Sequence, residues 1–341
     1  MSISCHLVLQ HLRDFAPPRY ALEGDPTGLQ VGTADKTIDH VLCCLDLTLA
    51  IAKEARDMGA GLIISHHAVI FRPLKTLRTD QVRGQILEEL IKHNIAVYVP
   101  HTALDVTTGG INDHLAEVVG LIDPTFLDRT GSETLTRIEV SGLPRDREDN
   151  PERERAIAIF EAAMTPHLWP TSNGIVALVP SRRATALASR LHRALGRIAH
   201  LSPISSDDTP RGIGRVGALP HPESAAVLAA RLRETLGAPF ARVVSPDAHA
   251  PLSKIAVLCG DGRSFLDAAT FAGAEALITG DIDHHTALEA RARGLTLIDL
   301  GHWATERHVG AILAQALRSR LAGKAIEIHE SQVNTQPFEL F

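Results

Sequence analysis

Histidines and carboxylates recur at matching places along this chain. Ser65-His66-His67 follows the apolar run GLII, and His101-Thr102-Ala103-Leu104-Asp105 follows IAVYVP. Asp281 follows EALITG, and His302-Trp303-Ala304-Thr305-Glu306 follows LTLIDLG. His101 and Asp105 are four positions apart, as are His302 and Glu306. A helix beginning near residue 303 places the second pair on one face, one turn apart. Neutral imidazoles and carboxylates are standard ligands of zinc, iron and manganese. His66, His67, Asp105, His302 and Glu306 supply three nitrogens and up to four oxygens. Because a carboxylate can bridge, these five suffice for two ions with positions left for water. Two cations about 3.5–4 Å apart acidify a shared water and clamp both oxygens of a displacement. Consecutive histidines on an extended strand point to opposite faces. A bend at the strand end lets both reach one cluster, and the alternative is that one of them serves a single ion.

Other residues have weaker claims. His101 is expected to orient a ligand or meet substrate. Asp281 reads as a partner of the ligands, a substrate contact, or the N-cap of the next helix. His284 and His285 read as a solvated helix face. The acidic residues of EGDPTGLQVG (23–32) can approach a cleft. CGDGRS (259–264) is either an anion-holding turn or a plain tight one. It lacks both GxGxxG and GxxxxGK[ST], and there is no GxSxG elbow.

The elements that must position these residues alternate. HVLCCLD (40–46), GLIIS (61–65) and IAVYV (95–99) read as strands buried on both faces. Thr48 caps a helix to Met58, Thr79 or Asp80 opens the next, and Ile111–Val119 forms a third that stops at Gly120. The same grammar returns in KIAVLC (254–259), EALIT (275–279), LTLIDL (295–300), a helix from about Ala304 to Leu321, and a final strand AIEIHE (325–330). Strand–helix repetition implies parallel sheets with helices on their faces, and ligands collect at the carboxyl ends of such strands. The fold class is therefore α/β: two related three-layer lobes with mainly parallel sheets, at 1–129 and 212–341, around a small inserted α/β segment at 130–211. The lobes are read as related halves whose strand ends face a shared cleft. Within the insertion, Asn150 with Pro151 starts a helix, GIVALVP (174–180) is a strand, and residues 181–196 form an amphipathic helix.

Composition narrows the field. The 341 residues carry a net charge of −6, which argues against nucleic acid as a partner. Eighteen histidines stand against four cysteines with no CxxC pair, so Cys43 and Cys44 read as buried structural thiols. No signal peptide and no membrane span are apparent, and a cytoplasmic location is expected.

GLQVG (28–32), SHHAVIF (65–71), HTALD (101–105), CGDGRSFL (259–266), ITGDIDHH (278–285) and DLGHWATE (299–306) resemble, in order, the motifs of the GTP cyclohydrolase 1 type 2 homologues. That family is also described as the Nif-three-like dinuclear metal centre family. The resemblance covers roughly residues 1–125 and 212–341. It implies two α/β lobes, a toroidal homohexamer, and two divalent metal ions per subunit (zinc, iron or manganese) held by His66, His67, Asp105, His302 and a bridging Glu306. Ala68 stands where the family commonly has proline, and Ala103 where asparagine is frequent. Longer members carry an inserted domain resembling the PII signalling fold; at roughly 80 residues, the insertion here is expected to be a reduced copy.

The leading expectation is a metal-dependent hydrolase of a nucleotide or another phosphorylated small molecule, with His101 or Asp281 handling a proton or positioning substrate. The alternative is a non-catalytic metal-binding, metal-delivery or regulatory ring scaffold. GTP cyclohydrolase activity itself rests on resemblance alone.

Overall fold

Short apolar runs, buried along their length, build the two main sheets. The computed structural model describes residues 2–133, 135–143, 150–163, 167–204 and 209–339. Among these, the first sheet has the order Glu327–Glu330, His40–Cys44, Leu62–Ser65, Ala96–Val99, Gly28–Val31. Its first four strands are parallel, and Gly28–Val31 closes the edge antiparallel to Ala96–Val99. The second sheet has the order Arg242–Val244, Thr296–Asp299, Ala276–Gly280, Pro251–Asp261, Thr209–Ser224, Ile122–Glu133. A parallel core of three strands is flanked there by antiparallel neighbours.

Successive strand residues feed opposite faces. Val41, Cys43, Leu62, Ile64, Ile255, Val257 and Ile278 enter one cluster shared by both sheets, whereas Leu42, Cys44 and Ile63 enter a second cluster and Leu277 and Leu297 a third. Both sheets are thus covered on both faces, which explains why their strands read as unbroken apolar runs. Truncating a buried side chain such as Ile64 to alanine is expected to cost about 2–5 kcal/mol. Residues Met1–Thr130 and Gly212–Phe341 form one compact unit, so the two sheets share a body.

Several local expectations hold. Thr48 accepts from the Ile51 amide at the start of Leu49–Asp57, and Gly120 ends Ile111–Val119 in the left-handed region. Others change. Val82–Lys92 starts without a side-chain cap, because the Asp80 carboxylate is taken by the Arg78 guanidinium, 2.5 Å away. The helix expected from Ala304 to Leu321 is two helices, His302–Glu306 and Val309–Arg320. The last strand belongs to the first sheet, paired parallel with His40–Cys44, and not to the lobe that precedes it in sequence. Periodicity identifies a strand but not its partner, which is set by long-range packing.

The second compact unit, Gly131–Arg211, has its own core of Ile138, Val140, Phe160, Ile175, Ala177 and Leu191. Its antiparallel sheet runs Ala199–Pro203, Leu135–Ser141, Gly174–Pro180, His167–Pro170, with helices Pro151–Ala162 and Ser181–Leu195. That is a β-α-β-β-α-β pattern with the fourth strand beside the first, a ferredoxin-like arrangement. Asn150 caps its first helix by accepting from the Arg153 amide.

Candidate metal centre

The strand ends of both sheets converge on one cluster. His66 and His67 follow Leu62–Ser65, and their amides donate to the carbonyls of Cys44 and Leu45. The Ser65 hydroxyl donates to the His67 carbonyl at 2.8 Å. This turns the chain at the strand end and brings both rings to the same side, with centroids 5.1 Å apart. His101 follows Ala96–Val99 and Asp105 lies in the short helix Thr102–Val106. His302 and Glu306 begin and end one helical turn, as their spacing requires.

Glu306 occupies the centre. Its Oε2 lies 3.0 Å from Nε2 of His67 and 3.0 Å from Nε2 of His302, and those two nitrogens are 3.2 Å apart. Its Oε1 lies 3.9 Å from Nε2 of His66, which is 3.6 Å from Oδ1 of Asp105. The five expected ligands therefore come together, and His101 joins them with its ring 5.3 Å from that of His66. Groups able to hold a cation include His67, His302 and Glu306, and His66, His67 and His101.

Three further carboxylates set the imidazoles. Asp46 lies 2.7 Å from Nδ1 of His67, Asp281 lies 2.7 Å from Nδ1 of His302, and Asp25 lies 2.5 Å from Nδ1 of His101. A carboxylate on Nδ1 fixes the tautomer and leaves the Nε2 lone pair directed at the centre, the usual arrangement around a ligated metal. Asp281 is thereby assigned: it holds His302, while the N-cap of His284–Arg293 is Asp283. His284 and His285 are exposed, as expected of a solvated face.

The electrostatics match. Burial alone lowers an imidazole, but Asp46 and Glu306 hold His67 up to about 10. Against the same burial, Glu306 and Asp281 hold His302 up to about 9. Burial, then the Glu306 carboxylate, push Asp105 up to about 7. Burial would raise Glu306 too, but the imidazoles of His302, His66 and His67 gathered around it keep it well below the usual carboxylate range. Both ring nitrogens of His66, Oδ1 of Asp105 and Oε2 of Glu306 are buried without a hydrogen-bond partner. Unpaired buried polar atoms are expensive, and a cation is the partner that suits imidazole and carboxylate together.

Backbone features hold the cluster tight. Gly260 has φ +69°, and a Cβ there would stand 2.3 Å from Oε1 of Glu306. His101 and Asp281 each follow the end of a parallel strand with φ +35° and +57°, conformations that non-glycine residues adopt at some strain and that cluster at functional sites. Asn112, fully buried, donates to the Asp105 carbonyl at 3.0 Å and accepts from the Cys259 amide at 2.9 Å, tying the HTALD and CGDG segments together. Sequence reasoning missed Asn112, an amide in a helix with no spacing signal, and Asp46, which ends the HVLCCLD strand run and carries the same strand-end signal as Asp281. Asp25, in contrast, lies in the turn whose acids were expected near a cleft. In the CGDGRS turn the Arg263 guanidinium pairs with the Asp261 carboxylate at 2.6 Å. Cys43, Cys44 and Cys259 are buried thiols, with burial pushing Cys44 up to about 12.

Beside the cluster lies a cavity of about 520 Å³, lined by His302 and Asp281 on one side and by Phe240, Trp303 and Phe338 on others. That volume is typical of small-molecule sites. No helix among the described residues is long and apolar enough to cross a membrane.

Known proteins share this architecture. The pattern of the Duf34/NIF3 (NGG1p interacting factor 3) family matches residues 3–337. The chain is similar to proteins named GTP cyclohydrolase 1 type 2 homolog. It is 31% identical to that of Bacillus subtilis (strain 168), over 99% of this chain and 98% of the relative. It is 30% identical to that of Halalkalibacterium halodurans, over 97% of both. Among solved structures it resembles a Bacillus cereus protein related to NIF3, with TM-score 0.84, 29% identity and 98% of both chains covered.

Proposed function

The chain belongs to the DUF34/NIF3 family, and we propose that it is a dinuclear divalent-metal hydrolase acting on a nucleotide or another phosphorylated small molecule. The observation that carries this reading is the position of Glu306. One buried carboxylate stands with Oε2 3.0 Å from both His67 and His302 and with Oε1 3.9 Å from His66, itself 3.6 Å from Asp105, so it would be the ligand shared by two ions. In this reading His67 and His302 would hold one ion, and His66, Asp105 and His101 would hold the other. When bound, such a pair supplies Lewis acidity and an acidified water. Asp46, Asp281 and Asp25 act through the imidazoles they orient, and are positioning residues. The imidazole-rich donor set favours zinc, iron or manganese over magnesium or calcium.

The 520 Å³ cavity that opens on His302 gives a substrate its place, and its aromatic walls suit a planar ring. Assembly as a homohexamer enters this proposal from the family resemblance, and the mass of the purified protein in solution tests it. The activity is tested by screening metal-loaded protein against a panel of nucleotides and phosphoesters, with Glu306→Gln alongside. Turnover that disappears in the variant supports the reading. Stoichiometric metal without turnover of any panel member would replace it with the alternative, a metal-binding or regulatory scaffold.

A further inference from the structure

A second histidine–carboxylate group lies outside the centre just described. Glu327 sits directly opposite His40 in the parallel pairing of Glu327–Glu330 with His40–Cys44, and His329 follows two residues later on the same face of the sheet. Nδ1 of His40 is 3.2 Å from Nε2 of His329, and Oε2 of Glu327 is 3.8 Å and 3.5 Å from those nitrogens. The imidazole rings stack with centroids 5.5 Å apart. The two histidine side chains are about one-third exposed (29% and 32%), and that of Glu327 is 69% exposed.

We infer that His40, Glu327 and His329 form a separate, solvent-accessible site for one divalent transition cation, of which zinc is the type. Tetrahedral ligands 2.0–2.1 Å from zinc stand about 3.3 Å from one another, close to the three separations found here. Two imidazoles with one carboxylate prefer zinc, nickel or copper to the hard alkaline-earth ions. The exposure of all three groups supplies the path of entry and leaves a fourth position for water.

The site has a structural consequence. Among the described residues, Glu327–Glu330 is an edge strand paired with His40–Cys44 alone. A cation ligated from both strands clips positions 289 residues apart. Beyond this clip, Ser331 donates to Glu54, and Thr335 donates to Asp46 at 2.6 Å, the acid that holds His67. The clip thus anchors the segment that leads to the centre.

Equilibrium dialysis against zinc chloride reads the site directly. Wild-type protein is expected to bind one more zinc per chain than His329→Gln or His40→Asn. Glu306→Gln, which alters the other centre, is expected to retain this equivalent, so the two readings fail separately. Zinc should also slow amide exchange of Ile328–Glu330 in Glu306→Gln protein and not when His329→Gln is added. Equal zinc stoichiometry in wild type and both surface variants, or exchange indifferent to zinc, overturns the inference.

Discussion

Substituting Gly260→Ala probes the centre at one atom. The added Cβ would lie 2.3 Å from Oε1 of Glu306 and 3.2 Å from Nε2 of His302. Non-bonded heavy atoms settle near about 3.5 Å, so the carboxylate must retreat by about 1 Å. Ligand distances in metal sites tolerate about 0.2 Å, so if Glu306 is the proposed shared ligand a retreat of that size would remove it from one of its two positions. Displacing a group that only supports a ligand weakens metal binding about 10–100-fold, and displacing the shared ligand itself should cost at least the upper figure. Alanine at φ +69° also strains the backbone by about 1–2 kcal/mol, an effect to be separated from the intrusion. Gly294→Ala supplies the control: φ is +75° there and a Cβ meets nothing within 4 Å. Without metal, Gly294→Ala should show the backbone cost alone and Gly260→Ala a larger loss of thermal stability, because the displaced Glu306 carboxylate is buried, and only Gly260→Ala should lose metal, read by metal analysis after equilibrium dialysis. If Gly260→Ala holds the same metal complement as Gly294→Ala with unchanged affinity, Glu306 is not the shared ligand and the dinuclear reading fails.

Asp46→Asn and Asp281→Asn should each weaken metal binding about 10–100-fold while leaving the fold intact, measured by chelator competition; wild-type affinity in both would show that their hydrogen bonds to His67 and His302 are incidental. Asn112→Leu leaves the Cys259 amide and the Asp105 carbonyl unpaired, at about 1–3 kcal/mol for each, and denaturant unfolding should reveal the loss. The pH dependence has opposite signs for folding and for metal. With His67 held up to about 10 and His302 up to about 9, their protonated forms stabilise the metal-free fold fully below the ordinary value of 6.5, and that contribution is lost as pH rises through 9–10. A cation must displace the same protons, so metal affinity should rise over that range, and calorimetric titration in buffers of different ionisation enthalpy should show proton release near neutral pH.

Much of this molecule is legible along the chain because its signals are local. His302 and Glu306 share a face through helical spacing alone, and Thr48, Asn150 and Gly120 mark helix ends by chemistry confined to a few residues. Strand-end placement then pointed to His66, His67, His101, Asp105 and Asp281, since parallel strands carry their ligands at one end. What tertiary structure alone decided is which distant groups meet. Asp46 and Asp25 became imidazole partners, Asn112 joined two segments 147 residues apart, and Glu327–Glu330 crossed to the first sheet to stand beside His40. Such pairings leave no periodic trace in the chain, because the free energy that selects them comes from desolvation and packing in three dimensions, where sequence distance has no bearing.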